Sequence, residues 1–369
     1  TTEIYTLSLH DALPISSSVF KLIGIEEPEA HLHPHLQDHL ARNIKEDIGK
    51  DGNLQIILTS HSANIAAKLD LENTSVLYRD ESDSIKSHYI LKGFSVGKEM
   101  PSKRYLMKYL DSTNSTMFFS RKVILVEGIS EELLVPIFFK IYRGYVLKHD
   151  ISKLFELGDA SWMSFFENLD DKRACFKKTF CEDVHTSGLN DDLKKKLLNF
   201  WIIRRKNMTL EKIRCNVVNV RGVAFDHFLK VIEKGYFIKC LVLTDSDADT
   251  RQKNRVADLK AAYASVSTIK IQQTDSSTFE KDVLESNKNG KGKDILIHSL
   301  LKTRFKKGYQ VIKGRENEDI NIEDFFGAIE EYKSEFAFNL SERIKQESTG
   351  FVVPPYITAG FDFLVDNNE

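Results

Sequence analysis

Four short apolar runs, at 123–128, 216–222, 239–245 and 267–273, alternate with segments whose apolar residues recur at helical spacing. Aliphatic and β-branched residues dominate these runs, which is typical of buried strands. Alternating strands and helices with short connections favour a parallel sheet covered by helices on both faces. We therefore predict an α/β fold in which the carboxyl ends of the strands meet at one edge of the sheet.

A smaller block precedes this sheet, and it also combines strands with helices. The pattern predicts two buried strands at 19–25 and 54–59, a helix at 29–48 between them, a helix at 62–69, and a hairpin formed by 75–80 and 86–92. Helices at 130–142 (with Ser130 as a cap), 224–234 and 251–265 are predicted to connect the strands of the second block.

The length of 369 residues suggests two or three domains. Residues 1–17 are expected to be a non-native leader, because TTEIYTLSLHDALPIS resembles translated sequencing-adaptor sequence; the natural protein would then begin further upstream. The remaining predicted divisions are a first block at 18–110, a second at 119–145 and 213–293, a helical insertion at 146–212, and a helical C-terminal extension at 294–369 with one short strand at 309–313.

The composition excludes several classes of protein. The 52 basic and 54 acidic residues leave a net charge of −2, which argues against a surface that coats nucleic acid everywhere. Local basic patches at 172–214 and 281–315 remain candidates for contacts with nucleic acid phosphates. We find no apolar run long enough to span a membrane. Four scattered cysteines without a CxxC pair argue against a disulfide scaffold and favour a cytoplasmic location.

Two adjacent acids end the first predicted strand. Glu26 and Glu27 follow the run LIGI, and His61 follows the second strand, 34 residues after Glu27. In phosphoryl-transfer enzymes such a carboxylate pair can hold Mg²⁺ through water and orient the attacking water. Because ligands of open α/β sheets bind at the carboxyl ends of strands, we expect these three side chains to share one site.

A second group of acids follows two strands of the larger sheet. Glu127 ends the run VILVE and Glu131 lies four residues later, while Asp245 and Asp247 follow the run KCLVLT. Four carboxylates at neighbouring strand ends would repel one another unless cations lay between them. Oxygen ligands favour Mg²⁺ or Mn²⁺, and two such ions about 3.5–4 Å apart can stabilise phosphodiester cleavage. The sequence therefore predicts a two-metal site at this edge.

The first block resembles the second half of an ATP-binding-cassette ATPase core. By that resemblance Glu26 corresponds to the metal-associated Walker B acid, Glu27 to the catalytic glutamate and His61 to the switch histidine. Glu26, Glu27 and His61 would then contact ATP and its metal. The phosphate-binding G-x-x-x-x-G-K-[ST] loop is absent from the sequence, so the resemblance implies that only the intact protein binds ATP.

The second block resembles the Toprim fold of topoisomerases, primases and some nucleases, with Gly222 at the glycine position between the Glu and Asp motifs. An ATPase block followed by Toprim is similar to the overcoming-lysogenization-defect (OLD) family of nucleases, to which the nuclease of the Gabija anti-phage system belongs. The resemblance covers about 18–360. It implies that Glu280 and Lys333 approach the metal site, with Asp282 as an alternative to Glu280.

This resemblance implies a metal-dependent DNA endonuclease or nickase that is regulated by its ATPase domain and acts in anti-phage defence. The implied catalytic residues are Glu127, Asp245 and Lys333, and the implied metal ligands are Glu127, Glu131, Asp245, Asp247 and Glu280. A homodimer or larger homo-oligomer through the ATPase domain and a helicase partner, as in Gabija, are also implied. Two alternatives stay open: another Toprim chemistry, either topoisomerase-like or primase-like, and a non-catalytic fragment.

We predict that the 369-residue chain binds ATP poorly by itself, because its sequence lacks the glycine-rich loop whose backbone N–H groups cradle the phosphates. Titration with the fluorescent analogue mant-ATP measures this affinity. A micromolar dissociation constant would contradict the prediction.

Overall fold

The computed structural model describes residues 21–50, 54–80, 82–94, 97, 100–109, 114–154, 209–236, 238–246, 250–303, 319–348 and 350–365. Most of the predicted insertion, the predicted strand at 309–313, and large parts of both basic patches lie outside these residues. The chain divides into two compact units. One contains the described residues through Tyr89 together with Met107–Phe119, and the other contains Ile90–Leu106 and the residues from Ser120 onward.

The first unit contains a parallel strand pair and an antiparallel hairpin. Its strands and helices are β1 (Lys21–Glu26), α1 (Pro34–Lys50), β2 (Leu54–Thr59), α2 (Ala63–Ala66), β3 (Ser75–Arg79) and β4 (Ile85–Tyr89). β1 and β2 are parallel, with Glu26 opposite Thr59, so both strands end at the same edge. β3 and β4 form the hairpin. These four predicted strands are confirmed, with small shifts at their ends.

The helix predicted at 29–48 begins later than expected. Residues 28–31 form a turn, His31 has a left-handed φ of 65°, and α1 starts at Pro34. Proline suits the first helical position because its φ is fixed and its missing N–H would have no partner there. The helix predicted at 62–69 is also shorter, since α2 ends at Ala66 and Ser62 caps its amino end by accepting a hydrogen bond from the backbone N–H of Ile65.

The prediction that β1 and β2 are buried is wrong for the described residues. Leu22 and Ile57 are 57% and 56% exposed, respectively. Among the described residues, the sheet that contains them has two strands, so each is an edge strand there. Helix α1 packs against β2 and leaves much of the sheet surface open to solvent.

The second unit is built on a four-stranded sheet with the order β6-β5-β7-β8, in which all neighbours are parallel. This confirms the predicted parallel α/β sheet. The strands are β5 (Lys122–Val126), β6 (Cys215–Asn219), β7 (Lys239–Thr244) and β8 (Ile269–Gln273). The helices that follow α2 in the chain are α3 (Met100–Tyr109), whose residues from Met107 onward belong to the first unit, α4 (Ile129–Leu154), α5 (Phe225–Glu233), α6 (Thr250–Tyr263), α7 (Phe279–Ser286), α8 (Gly290–Leu301), α9 (Ile322–Ile329), α10 (Lys333–Gln346) and α11 (Pro355–Leu364).

Helix α4 differs from its prediction at both ends. It starts at Ile129, so Ser130 is a buried residue of the first turn and the expectation that it caps the helix is wrong. The helix continues past residue 142 to Leu154, into the range that we assigned to the insertion. Buried Val135, Phe138 and Phe139 recur on one face of α4, which explains why the helix packs firmly on the sheet.

The core of the second unit holds the strand ends in place. All five residues of β5 are buried, and the aromatic residues of α4 pack against α11. The rings of Phe139 and Phe361 meet edge to face, with their centroids 5.1 Å apart. Because close-packed interiors resist small displacements, this core limits how far the carboxyl end of β5 can move.

Two expectations from composition concern the described residues directly. No helix in the described part of the chain is long and apolar enough to cross a membrane. Cys215 and Cys240 are buried and are not joined in a disulfide. Cys175 and Cys181 lie outside the described residues.

We predict that Gly360→Ala destabilises the protein, because a Cβ at this position would lie 2.8 Å from Cδ2 of the buried Leu241. Overpacking of this kind costs roughly 1–3 kcal/mol. The control is Gly327→Ala on α9, where an added Cβ meets no atom within 4 Å. That substitution should be neutral or stabilising by up to about 1 kcal/mol. Thermal melts of the two variants that shift equally would contradict the packing of α11 on β7.

Candidate active site

The acids that follow β5 and β7 lie side by side, because these two strands are parallel neighbours. The backbone N–H of Asp245 donates a hydrogen bond to Oε1 of Glu127 at 3.1 Å. The hydroxyl of Thr244, the last residue of β7, donates to the same oxygen. The structure therefore brings Glu127 and Asp245 together at the predicted edge.

Glu131 joins them from the first turn of α4, where it is only 6% exposed. Gly128 leaves room for its carboxylate, since a Cβ at position 128 would lie 3.1 Å from Oε2 of Glu131. A residue larger than glycine after Glu127 would force the Glu131 carboxylate to shift by a few tenths of an ångström. The close approach of the Glu131 carboxylate therefore explains why a glycine suits this position of the VEG motif.

Glu280 and Lys333 reach the same region from α7 and α10. Nζ of Lys333 lies 3.0 Å from Oε2 of Glu280, and Glu280 is buried. The lysine also lies over the ring of Phe326, 5.0 Å from its centroid. Both residues were expected near the site only from the family resemblance, and the structure places them there.

Asp282 has a different position from Glu280. Its carboxylate accepts hydrogen bonds from the backbone N–H groups of Asp275 at 2.8 Å and Ser276 at 2.7 Å. It is thereby committed to holding the loop after β8. Of the two acids on α7, Glu280 is the one paired with Lys333.

The electrostatics of the cluster reflect four acids in a small, partly buried space: Glu127, Glu131, Asp245 and Glu280. Burial, followed by repulsion from the other three acids, raises the pKa of Asp245 to about 8, although the hydrogen bond from the N–H of Phe279 opposes this. Burial also raises the pKa of Glu131 to about 7, with Glu280 and Glu127 adding to the effect and Lys333 opposing it. A cation at the cluster would remove this penalty.

The donors match a hard divalent cation in kind, because they are carboxylate oxygens. The positions of these carboxylates match a metal site less well. In the described ranges, no group of three Asp, Glu, His or Cys side chains is arranged to hold one metal ion. Asp247, a predicted ligand, lies outside the described residues. The ligand roles of Glu127, Glu131, Asp245, Asp247 and Glu280 stay predictions.

The predicted ATPase residues lie in the first unit. Nε2 of His61 is 3.2 Å from Oε1 of Glu27, so these two predicted partners do meet. Their side chains are 83% and 50% exposed, respectively, which makes the pair weak by itself. Glu26 is the exposed last residue of β1, next to Glu27. Their roles toward ATP stay predictions.

Sequence reasoning missed Glu29, which connects the two loops that carry Glu27 and His61. Oε1 of Glu29 accepts hydrogen bonds from the backbone N–H of His61 at 2.6 Å and from the hydroxyl of Ser60 at 2.9 Å. Burial alone would raise the pKa of Glu29, but these hydrogen bonds lower it. As the third acid of the run EEPE, Glu29 could have been identified from the sequence.

Sequence reasoning also missed Thr244 and Arg255, which both contact Glu127. Thr244 gave no signal beyond ending a strand. Arg255, on α6, places Nη2 at 3.6 Å from Oε1 of Glu127. A long cationic side chain near the start of the helix that follows the D-x-D run was the feature that could have identified it.

Comparison with known families agrees with both blocks. Residues 16–66 match a family described as an AAA ATPase domain. Residues 118–172 and 195–247 match the family described as overcoming lysogenization defect protein-like, TOPRIM domain. The chain is a homologue of the OLD nucleases. The carboxylate cluster formed by Glu127 and Asp245 lies within the matched Toprim region.

Individual relatives point the same way. The chain is 29% identical to Endonuclease GajA of Bacillus cereus (strain HuB5-5) over 152 residues, 35% of this chain and 22% of the relative. It is 26% identical to the Old nuclease of Escherichia phage P2 over 126 residues, 34% of this chain and 21% of the relative. The chain thus spans less than a quarter of these relatives.

The C-terminal region of the Burkholderia pseudomallei OLD protein, a solved structure, is 16% identical, covers 67% of this chain and 97% of its own, and has a TM-score of 0.38.

We predict that Asp245→Asn stabilises the protein in EDTA, and that the gain grows with pH. An acid whose folded pKa is raised contributes stability below its unfolded pKa of 3.8, and that contribution is lost as the pH rises towards about 8. Asparagine does not ionise, so it avoids this loss. The expected gain is on the order of 2–5 kcal/mol at pH 8 and about a third of that at pH 5.

Thermal melts from pH 5 to 9 measure this effect. Asp294→Asn, an exposed acid on α8, serves as the matched control, with a small shift at every pH. A gain for Asp245→Asn that is the same at pH 5 and pH 8 would contradict the electrostatic description of the cluster.

Proposed function

We propose that this chain carries the nuclease centre of an OLD-type enzyme and that the carboxylate cluster cleaves DNA phosphodiester bonds with Mg²⁺ or Mn²⁺. The observation that carries the proposal is the meeting of Glu127 and Asp245 at neighbouring strand ends, with Glu131 and Glu280 close by. Homology to proteins named as nucleases supports it.

The residues divide into two roles. Glu127, Glu131, Asp245, Asp247 and Glu280 supply carboxylate oxygens to the metals. Bound divalent ions would stabilise the charge that develops on the attacking and leaving oxygens. Lys333 carries a positive charge beside the cluster, 3.0 Å from Glu280, and would neutralise the phosphate in the transition state.

The first unit would regulate this reaction in the intact protein. Its match to an AAA ATPase domain and the Glu27–His61 contact support ATP binding there together with Glu26, once a phosphate-binding loop is present. A homodimer or larger assembly through the ATPase region, a helicase partner, a cytoplasmic location and an anti-phage role are part of the same proposal, by analogy with the relatives.

A topoisomerase-like reaction is the second candidate, and it would need a tyrosine nucleophile. Tyr356 lies near the cluster, since Asp282, Asp245, Glu131 and Glu280 add to the effect of burial in raising its pKa. The side chain is 7% exposed. A buried phenol with a raised pKa is a poor nucleophile, so hydrolysis is the better reading. Covalent protein–DNA adducts on denaturing gels that disappear in Tyr356→Phe would favour the second candidate.

We predict that the purified chain nicks or linearises supercoiled plasmid with Mg²⁺ or Mn²⁺ in the absence of ATP. Glu127→Ala and Asp245→Ala should each lower the rate at least about 100-fold, because each removes charge that the metals require. The rates are measured from the loss of supercoiled plasmid on agarose gels.

Asp294→Asn is the matched control and should cut at the wild-type rate, since this acid is exposed on α8. Cleavage that survives both alanine substitutions would show that the cluster is not the nuclease centre. No cleavage by a sample that melts cooperatively would favour the non-catalytic alternative.

A further inference from the structure

Two acids of the cluster form ion pairs with protein cations. Glu280 is paired with Lys333 at 3.0 Å, and Glu127 is paired with Arg255 at 3.6 Å. The two cations come from helices at separate places in the chain, α10 and α6.

The position of Arg255 follows from the geometry of its helix. α6 starts at Thr250, shortly after Asp245, and Arg255 lies in its second turn. Long side chains on a helix lean toward its amino terminus. The guanidinium of Arg255 therefore points back to the carboxyl ends of the strands, where Glu127 lies.

This ion pair is partly buried. The side chains of Arg255 and Glu127 are 24% and 16% exposed, respectively. Partly buried charges are screened less by water and salt than exposed ones. Oε1 of Glu127 also accepts hydrogen bonds from Thr244 and from the N–H of Asp245, and Arg255 adds a full positive charge to these two neutral donors.

We propose that Arg255 is a positioning residue that holds Glu127 at the cluster by neutralising its charge, and that it competes with divalent cations for that carboxylate. The proposal rests on the proposed function, because it concerns the same metal site. Arg255 supplies the charge that a divalent ion would otherwise supply to Glu127. It therefore lowers the affinity of the cluster for metal while keeping the ligand in place.

The experiment is isothermal titration of the full chain with MnCl₂, comparing wild type, Arg255→Gln and Arg255→Lys. Arg255→Gln removes the competing charge and should bind Mn²⁺ roughly tenfold more tightly. Arg255→Lys keeps the charge, so its affinity should return to within about threefold of wild type. A role limited to packing would not tighten metal binding.

Arg121→Gln is the matched control. Arg121 is an exposed arginine that precedes β5, at the end of the strand opposite to Glu127. The Arg121→Gln substitution removes the same charge from the same unit. It should leave the Mn²⁺ affinity within about twofold of wild type, because screening weakens distant charges.

Thermal melts in EDTA provide a second readout. Arg255→Gln should lower the melting temperature in the wild-type background, because it removes the positive charge that lies beside Glu127. In a Glu127→Gln background the same substitution should have little effect, because the charge to be neutralised is gone. If Arg255→Gln does not fold, the Glu127→Gln/Arg255→Gln pair still tests the coupling: it must fold and melt within a few degrees of Glu127→Gln.

The outcomes separate the two proposals. If wild type does not bind Mn²⁺, the metal-dependent function is wrong. If wild type binds and a folded Arg255→Gln binds with equal or lower affinity, the role of Arg255 is wrong while the metal site stands. If Arg255→Gln lowers the melting temperature equally with and without Glu127, Arg255 acts through packing rather than through that carboxylate.

Discussion

Repulsion among carboxylates at one edge of a parallel sheet is the constraint on which this site depends. Parallel strands must end at the same edge, so an acid after β5 and an acid after β7 are forced together. Glu131 and Glu280 add to the negative charge from α4 and α7. Burial, followed by repulsion from these neighbouring acids, raises the pKa of Asp245 to about 8, so its ionised form is unfavourable without a cation.

The rest of the second unit keeps the acids from relaxing apart. The fully buried β5 and the aromatic packing of α4 on α11 hold the backbone below Glu127. Hydrogen bonds from Thr244 and Asp245 orient the Glu127 side chain, while Arg255 and Lys333 neutralise part of the charge. A preorganised cluster that keeps a net negative charge is suited to binding divalent ions.

The sequence was sufficient to predict the parallel sheet and the meeting of Glu127 with Asp245, because both follow from local patterns and from strand direction. Glu280 and Lys333 came only from resemblance, since no local pattern links α7 and α10 to the strand ends. Arg255 and Glu29 were missed because their contacts cross between loops or helices that periodicity does not relate. The start of α1 was misplaced because the turn at 28–31 precedes Pro34.

The most direct test of the central claim is to locate Mn²⁺ by anomalous diffraction in crystals of this chain. The cluster account predicts at least one anomalous peak within ligand distance of the Glu127 and Asp245 carboxylates, roughly 2.0–2.3 Å from their oxygens. Crystals in which both side chains are ordered, with no peak between them at saturating Mn²⁺, would contradict a metal-dependent site at this edge of the sheet.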